Sequence, residues 1–438
     1  MANRIIAGID IGSTKIAAII AIIEDDKQPR VIGEASYPAD GVKKGEITGI
    51  DQAINSIASA LSAAERMAGL TVSSVYVTIN GKHIVSNNNK GVVAIADEEI
   101  NTEDVFRVME QAKTVAIPPS RDIIHLIPRE FIVDAMEGIK DPVGMRGSRL
   151  EVDAHIISAT STALHNLHKC IQSIGLRIDD EVFSGWAAAQ AVLTPTEKEL
   201  GVLLLDIGGG TTSITTFEDN AVTYSTSIPF GGANVTRDLA AGLRLSLDDA
   251  EKVKLNIDRL MKNTSKNASN KKKLEGAEEE KEAKKEEPDD EKNRDIVDVS
   301  ELDIEGVKTI SRKQFNLIVN ERMKEIFELV RENVTMSDYE YNLPAGVVLT
   351  GGSAELPGLT AIAKEVFNIP ARVASPRGLD GLVDGISSPA YAATQGLILY
   401  GMSDDGFSSS RTNSLMSPKS GGSGVMGRVG GFLKNLMP

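Results

Sequence analysis

The sequence predicts an α/β protein built as two lobes of related design, with an α+β subdomain inserted in the first. Three observations predict it. The segment Ile9-Asp10-Ile11-Gly12-Ser13-Thr14-Lys15-Ile16 is rewritten further along as Leu205-Asp206-Ile207-Gly208-Gly209-Gly210-Thr211-Thr212-Ser213-Ile214. Each copy opens a half of the chain in which β-like runs give way to helical patterns. Residues 83–160 change texture, with Pro118-Pro119, several short strand patterns and one helix pattern near 102–115.

In order, apolar runs at 4–11, 15–23 and 30–37 read as strands. Ile54, Ile57, Ala58, Leu61, Ala64 and Met67 recur at helical spacing and predict a helix over 51–68. Val75 to Gly81 is again strand-like, and the chain leaves the insertion through a helix at 162–174 and the small-residue run 185–193. The second lobe begins at Leu200, repeats the hairpin, and continues into helix patterns at 231–243 and 247–257. From Lys262 to Arg294 the sequence is mostly Lys, Glu, Asp and Asn with almost no large apolar residue, a composition that buries too little surface to offset its ordering entropy; a disordered insertion is expected over 262–294. A helix at 311–334, a strand from Ala345 to Thr350 and a last helix at 388–401 complete the fold. The first lobe is therefore 1–82 with 161–199, the insertion 83–160, the second-lobe core 200–230 with 336–401, and its subdomain 231–335. A Ser/Gly-rich linker, 402–424, leads to a terminal segment, 425–438.

Composition narrows the class. A chain of 438 residues, 41% of them hydrophobic, has material for two or three cores. The lone Cys170 excludes an internal disulfide and suits a reducing cytosol. His165 and His168 share a helix face with no Cys or carboxylate cluster, so no metal site made of protein ligands alone is expected. A net charge of −15 argues against nucleic acid as partner. The apolar run Ile16 to Ile23 ends in Glu24-Asp25-Asp26 and reads as a buried strand, not a secretory signal. No stretch reaches the roughly 20 apolar residues of a membrane span, and a cytoplasmic body is expected.

Both hairpins have tips almost free of bulky side chains. Glycine and small hydroxyl residues let backbone N–H groups approach an anion closely, and such concave arrays bind phosphate. Two of them suggest two lobes clamping one nucleotide from opposite sides. Gly12, Ser13 and Thr14 and then Gly208, Gly209, Gly210, Thr211 and Thr212 would donate to the phosphates, and Lys15 would add a charge. Asp10 and Asp206, at the strand ends, can hold Mg²⁺ through its waters. Gly351, Gly352 and Ser353 open a helical turn after a strand and let the backbone lie against a base or its phosphates. Glu251 and Lys254, one helical turn apart, can bracket ribose hydroxyls.

In this order the segments resemble those of the actin-like ATPase superfamily. Its phosphate, phosphate, adenosine and connecting-helix segments are similar to residues 8–16, 203–214, 347–359 and 388–401 here. Within the superfamily the chain resembles the FtsA family of bacterial cell-division proteins, most specifically over Gly8 to Ile16, Leu203 to Ile214, Gly231 to Thr236 and Ser388 to Leu397. The resemblance implies an actin-like fold of two ribonuclease H-like lobes, with 83–160 as a relocated subdomain. It implies ATP and Mg²⁺ as ligands and adds Gly232 to the ATP-binding glycines. It also implies filaments of the protein itself, recruitment of other division proteins, and a peripheral place on the cytoplasmic face of the membrane at the division site.

Hydrolysis requires a residue that orients the attacking water. In filament-forming relatives a polar or acidic residue on the first connecting helix does this. The stretch Ser184-Gly185-Trp186-Ala187-Ala188-Ala189 has no carboxylate, and Gln190 is the nearest candidate catalytic residue. ATP binding with slow or negligible hydrolysis is expected.

In the terminal segment Val425, Val429, Phe432, Leu433, Leu436 and Met437 fall on one helical face, with Arg428 and Lys434 near its polar boundary. At about 1.5 Å per residue such a helix spans roughly 20 Å, too short for a bilayer core of about 30 Å, so it would lie in the interface of an anionic membrane. The three glycines of this segment weaken it as a helix in water. An amphipathic membrane-targeting helix at this position is what the resemblance implies. The helix from Ser311 to Arg331 carries Arg312, Lys313, Arg322, Lys324 and Arg331. The resemblance implies that its subdomain binds the acidic C-terminal peptide of the tubulin-like division protein FtsZ, with Lys308, Arg322 and Glu325 among the contacts. A pilus-assembly ATPase and a small-molecule kinase of the same superfamily remain the alternatives at this level.

Overall fold

The computed structural model describes residues 4–24, 27–114, 117–275, 295–337 and 343–403. Residues 276–294 of the expected insertion, the linker from 404 and the segment 425–438 lie outside them. The chain divides into two compact units. One takes the described residues up to Gly231, Glu332–Glu355 and those from Ile369 on; the other takes Gly232–Arg331 and Leu356–Asn368.

The first unit contains two sheets of the same design. In the first, Arg30–Pro38, Lys15–Ile23 and Arg4–Ile11 pair antiparallel in turn, and Ser74–Ile79 and then Arg177–Phe183 add in parallel. In the second, Ala221–Ile228, Thr212–Glu218 and Val202–Ile207 pair antiparallel, and Val347–Thr350 and Ala371–Val373 add in parallel. Antiparallel, antiparallel, parallel, parallel: the duplication visible in two hairpins extends to whole sheets. The short strand Asp380–Gly381 extends the first sheet beyond Arg30–Pro38.

The central strands are apolar on both faces, as a sheet covered on both sides requires. Ile9, Ile16, Ile19 and Ile20 are fully buried. Helix Ile50–Ala68 covers one face so closely that a Cβ on Gly33 would stand 2.3 Å from Ala64 O. The helix ends on Gly69, whose left-handed φ of 71° lets its N–H return to Glu65 O. Helices Ser184–Val192 and Ala392–Ser403 cross at Gly396, where a Cβ would lie 1.8 Å from Ala187 O. A 3-10 turn, Pro389–Tyr391, precedes the last helix, which therefore starts later than the expected 388. Proline fits such a first turn because it has no N–H to leave unpaired.

The insertion forms its own four-stranded sheet, in the order Val85–Ala94, Arg149–Thr160, Arg121–Val133, Met136–Ile139. Helix Thr102–Lys113 packs on it, capped by Asn101 and Asp104 in a reciprocal box. Ile100, Val105, Val108, Met109 and Phe131 fill a separate core. Polar contacts fix this sheet to the edge strand Ala221–Ile228: Asn88 Nδ2 donates to Thr223 O at 3.0 Å, and Ser225 N donates to Ser86 Oγ at 2.9 Å. His155, fully buried, bridges Asn88 Oδ1 and Ser225 Oγ.

The second unit holds Gly232–Leu243, Leu247–Glu275, most of the helix Arg312–Thr335, Leu359–Phe367 and a hairpin of Ile296–Asp298 with Thr309–Ser311. Here the structure corrects an expectation. The helix begun at Leu247 does not stop near 257 but runs to Glu275, through the first part of the segment expected to be disordered. Ala250, Val253, Ile257 and Leu260 are buried and anchor the helix. Once a nucleus is anchored, each further residue adds one hydrogen bond, which lets the helix continue beyond Leu260 through a stretch whose lysines at 262, 266 and 271–273 are good helix formers.

Candidate functional site

The first unit brings the two hairpin tips together. A Cβ on Gly209 would lie 2.2 Å from Thr14 Cγ2, and one on Gly210 would lie 2.6 Å from Ser13 Oγ. The tips close alike: Gly12 N donates to Lys15 O at 3.1 Å, and Gly208 N to Thr211 O at 2.9 Å. A Cβ on Gly231 would stand 2.4 Å from Gly208 O, so only glycine lets that segment approach the second tip. On the other side Ser353 Oγ donates to Gly208 O at 3.1 Å. Gly351, at φ +86°, leaves room for Asp206, whose Oδ1 would be 2.5 Å from an added Cβ.

Two carboxylates and one ammonium lie half-buried behind the tips. Thr78 Oγ1 donates to Asp10 Oδ1 at 2.8 Å and itself accepts from Ile11 N at 2.9 Å. Thr394 Oγ1 lies 3.5 Å from Asp10 Oδ2. Burial raises the Asp10 carboxyl above its ordinary value, against the pull of Thr78 and Lys15. Burial and then the neighbouring Asp10 push Asp206 up to about 7. Lys15 is lowered to about 8 by burial, against Asp10, Glu355, Asp206 and Glu34; its Nζ sits 3.2 Å from the centre of the Tyr391 ring. A pair of carboxylates held at such a cost suits a divalent cation. The donors are carboxylate oxygens. That fits Mg²⁺, which keeps several waters and takes further oxygens from phosphates.

Sequence reasoning missed four residues here. Thr78 and Asn80 end a buried strand, Tyr391 and Thr394 lie at the start of the last helix, and none carries a motif of its own. Asn80 Nδ2 donates to Thr211 Oγ1 at 3.0 Å and Ser213 Oγ at 2.9 Å, tying the second hairpin to the first sheet. A polar residue interrupting a buried strand end was the available signal.

Gln190 is not at the tips. Its Oε1 accepts from Lys198 Nζ at 3.5 Å, and that ammonium lies over the Phe217 ring. Phe217 pairs with Val202 at the far end of the hairpin from the Ile207–Thr212 tip, roughly 17 Å away at about 3.3 Å per residue. The helix places Ser184 nearer, with its Oγ 2.8 Å from Ser213 Oγ. Gln190 is thereby removed from the candidate catalytic residues.

In the second unit Gly232, Glu251 and Lys254 meet at Thr236. Lys254 Nζ donates to Thr236 Oγ1 at 2.9 Å and Gly232 O at 3.3 Å and pairs with Glu251 Oε2 at 2.7 Å. The same unit has a groove of about 610 Å³ lined by Asp238, Leu317, Ile318, Arg322, Glu325 and other residues of the long helix. Arg322 is held by Asp238 through Nε at 2.5 Å and Nη2 at 3.1 Å, and by Glu325 through Nη1 at 2.5 Å. Lys308 is exposed in the neighbouring hairpin and does not line the groove. Asp238, Glu321, Glu325 and Glu328 give the groove an acidic rim against Arg322 and Lys324.

Twinned sheets, crossed connecting helices and opposed phosphate-type hairpins define an actin-like protein with an inserted subdomain. The solved structures agree on the fold. The type IV pilus biogenesis complex PilM–PilN superposes with a TM-score of 0.59 over 90% of this chain and 98% of the matched chain, at 14% identity. EutJ, an ethanolamine utilization protein from Carboxydothermus hydrogenoformans, gives 0.50 over 92% and 91% at 16% identity. Models of two families match the sequence, one described as the SHS2 domain inserted in FtsA over residues 81–158 and one as cell division protein FtsA over 203–396. Cell division protein FtsA of Pseudomonas aeruginosa is 36% identical over 95% of this chain and 94% of its own, that of Bacillus subtilis 36% over 91% and 83%, and that of Escherichia coli 31% over 91% and 90%. The chain belongs to the FtsA family of cell division proteins. The pilus-assembly and kinase alternatives are set aside accordingly.

Proposed function

We propose that this protein is an ATP-binding scaffold of the division machinery that polymerises, holds FtsZ at the cytoplasmic membrane and recruits later division proteins. The opposed hairpin tips carry the nucleotide reading: the small-residue turns Gly12 to Thr14 and Gly208 to Thr212 lie against one another, with Asp10, Asp206 and Lys15 behind them. Asp10 and Asp206 would hold Mg²⁺ through water, and the ion would neutralise the phosphate charge. The chain's own part is to bind and orient. Thr78 fixes Asp10, Asn80 fixes the second tip, and Tyr391 steers the Lys15 ammonium.

Slow hydrolysis follows from the connecting helix. Its tip-facing end offers Ser184, a poor base, and its Gln190 is bound to Lys198 at the other end of the hairpin. Several turnovers per second by the purified protein would refute this part.

The terminal segment would supply the membrane contact, weak singly and strong when many tails are joined in one filament. Leu317, 60% exposed, and Ile318 offer the groove's apolar contact for the FtsZ peptide. Sedimentation with ATP and anionic liposomes tests the scheme. The whole chain should pellet with the liposomes, and a chain ending at 424 should keep its ATP affinity and stay in solution. Pelleting of the shortened chain would overturn the anchoring role.

A further inference from the structure

A small hairpin, Val42–Lys43 paired with Glu46–Ile47, turns at Lys44 and Gly45 directly beside both phosphate tips. Gly45 N donates to Ser13 Oγ at 2.9 Å, and a Cβ on Gly210 would lie 3.1 Å from Lys44 N. Both turn residues have positive φ, +52° for Lys44 and +75° for Gly45. Such two-residue turns favour Asn-Gly, and a long side chain in the first position is held there against its backbone preference. Lys44 is exposed, and no carboxylate of the described residues pairs with its ammonium, which lies 5.9 Å from the centre of the Phe230 ring. Phe230 in turn accepts from Thr212 Oγ1 at 2.9 Å, so its backbone is fixed to the second tip. The other lysine of the site, Lys15, is already committed to the half-buried carboxylates and Tyr391.

The second tip also has a direction. Its first glycine, Gly208, is held by Ser353 beside Gly351 and Gly352, the segment suited to the nucleoside end. Its last glycine, Gly210, touches the Lys44 turn. A nucleotide lying along the tip from one to the other ends its phosphate chain at Lys44. We propose that Lys44 binds the terminal phosphate and makes the site favour a nucleoside triphosphate over a diphosphate. This rests on the nucleotide reading of the tips and adds to it the residue that senses the third phosphate. An exposed lysine meets phosphate as a point charge, and its removal should cost about tenfold in affinity.

The test is titration of the full chain with fluorescent ATP and ADP analogues in Mg²⁺. K44N, which supplies the residue the turn prefers, should weaken ATP about tenfold and change ADP less than twofold, with no fall in melting temperature. K44R should retain the wild-type preference, and K43N, on the strand next to the turn, should behave as wild type. An unchanged ATP-to-ADP ratio in K44N, or an equal change in K43N, overturns the assignment. A wild-type chain that binds neither analogue overturns the nucleotide reading itself.

Discussion

Gly209→Ala tests whether the two hairpin tips face one another in close contact at the phosphate-type turns. The backbone of Gly209 is not left-handed, so alanine can adopt it, and the effect of the new methyl is purely one of space. That methyl would stand 2.2 Å from Thr14 Cγ2, 2.8 Å from Thr14 Oγ1 and 3.1 Å from Thr14 Cβ. Carbon atoms rest about 3.5–4.0 Å apart, so the tips must part by about 1.5 Å or Thr14 must turn. Turning gives little relief. Threonine is stiff at χ1, its carbonyl is held by Ala39 N at 3.0 Å, and even the rotamer that turns Hβ toward the methyl leaves Thr14 Cβ 3.1 Å from it. Overpacking of this kind costs about 1–3 kcal/mol. Parting the tips also carries backbone donors out of reach of phosphate, at about 1.5–3 kcal/mol for each charge-assisted bond lost. ATP affinity should fall by about ten- to a hundredfold, since about 1.4 kcal/mol is a factor of ten. Thr14→Ser removes the clashing Cγ2 and leaves a hydroxyl that can turn away, so the double variant should recover at least about 1 kcal/mol of the loss. Titration with a fluorescent ATP analogue and parallel thermal melts measure both. Binding by G209A within twofold of wild type, or a double variant no better than G209A, refutes the facing arrangement.

Gly396→Ala should destabilise the protein by about 3 kcal/mol in denaturant melts, because its methyl would meet Ala187 O at 1.8 Å and a backbone carbonyl cannot yield. His168 is raised above its ordinary value chiefly by the hydrogen bond to Glu181, at 2.5 Å. The stability it adds is full below the ordinary histidine pKa near 6.5 and fades as pH climbs through the raised value, so melting temperature should fall over that window in wild type and fall less in H168A. Arg322→Glu should lower the melting temperature, since it sets a third carboxylate beside Asp238 and Glu325; adding D238R should restore it, and failure to do so would deny the pair a structural role. In the groove, L317A should weaken binding of an FtsZ C-terminal peptide without changing the melting temperature, by the loss of an exposed contact.

Much of this fold is written locally. Continuous apolar runs placed the strands at 4–11 and 15–23, and helical patterning placed the helices near 51–68 and 311–334, because such signals come from residues close together in the chain. The tips of the two hairpins were legible for the same reason: Asp, Gly and small hydroxyl residues in sequence fix their own turn. The length of the helix beyond residue 257 was not, because composition reports how little a segment can bury and not that a neighbouring anchored helix will propagate into it.

By itself, then, the sequence determined two phosphate-type turns, two lobes and an insertion. Only the tertiary structure decided what stands around those turns. Thr78, Asn80 and Tyr391 reach the site through strand register and helix crossing, from positions with no motif. The packing of the connecting helix carries Gln190 to the wrong end of the second hairpin, and helix packing in the second unit sets Asp238 against Arg322. The physical reason is distance along the chain. A turn is set by residues next to one another, whereas the charge, burial and partners of a side chain are set by segments that meet only when the sheets have paired.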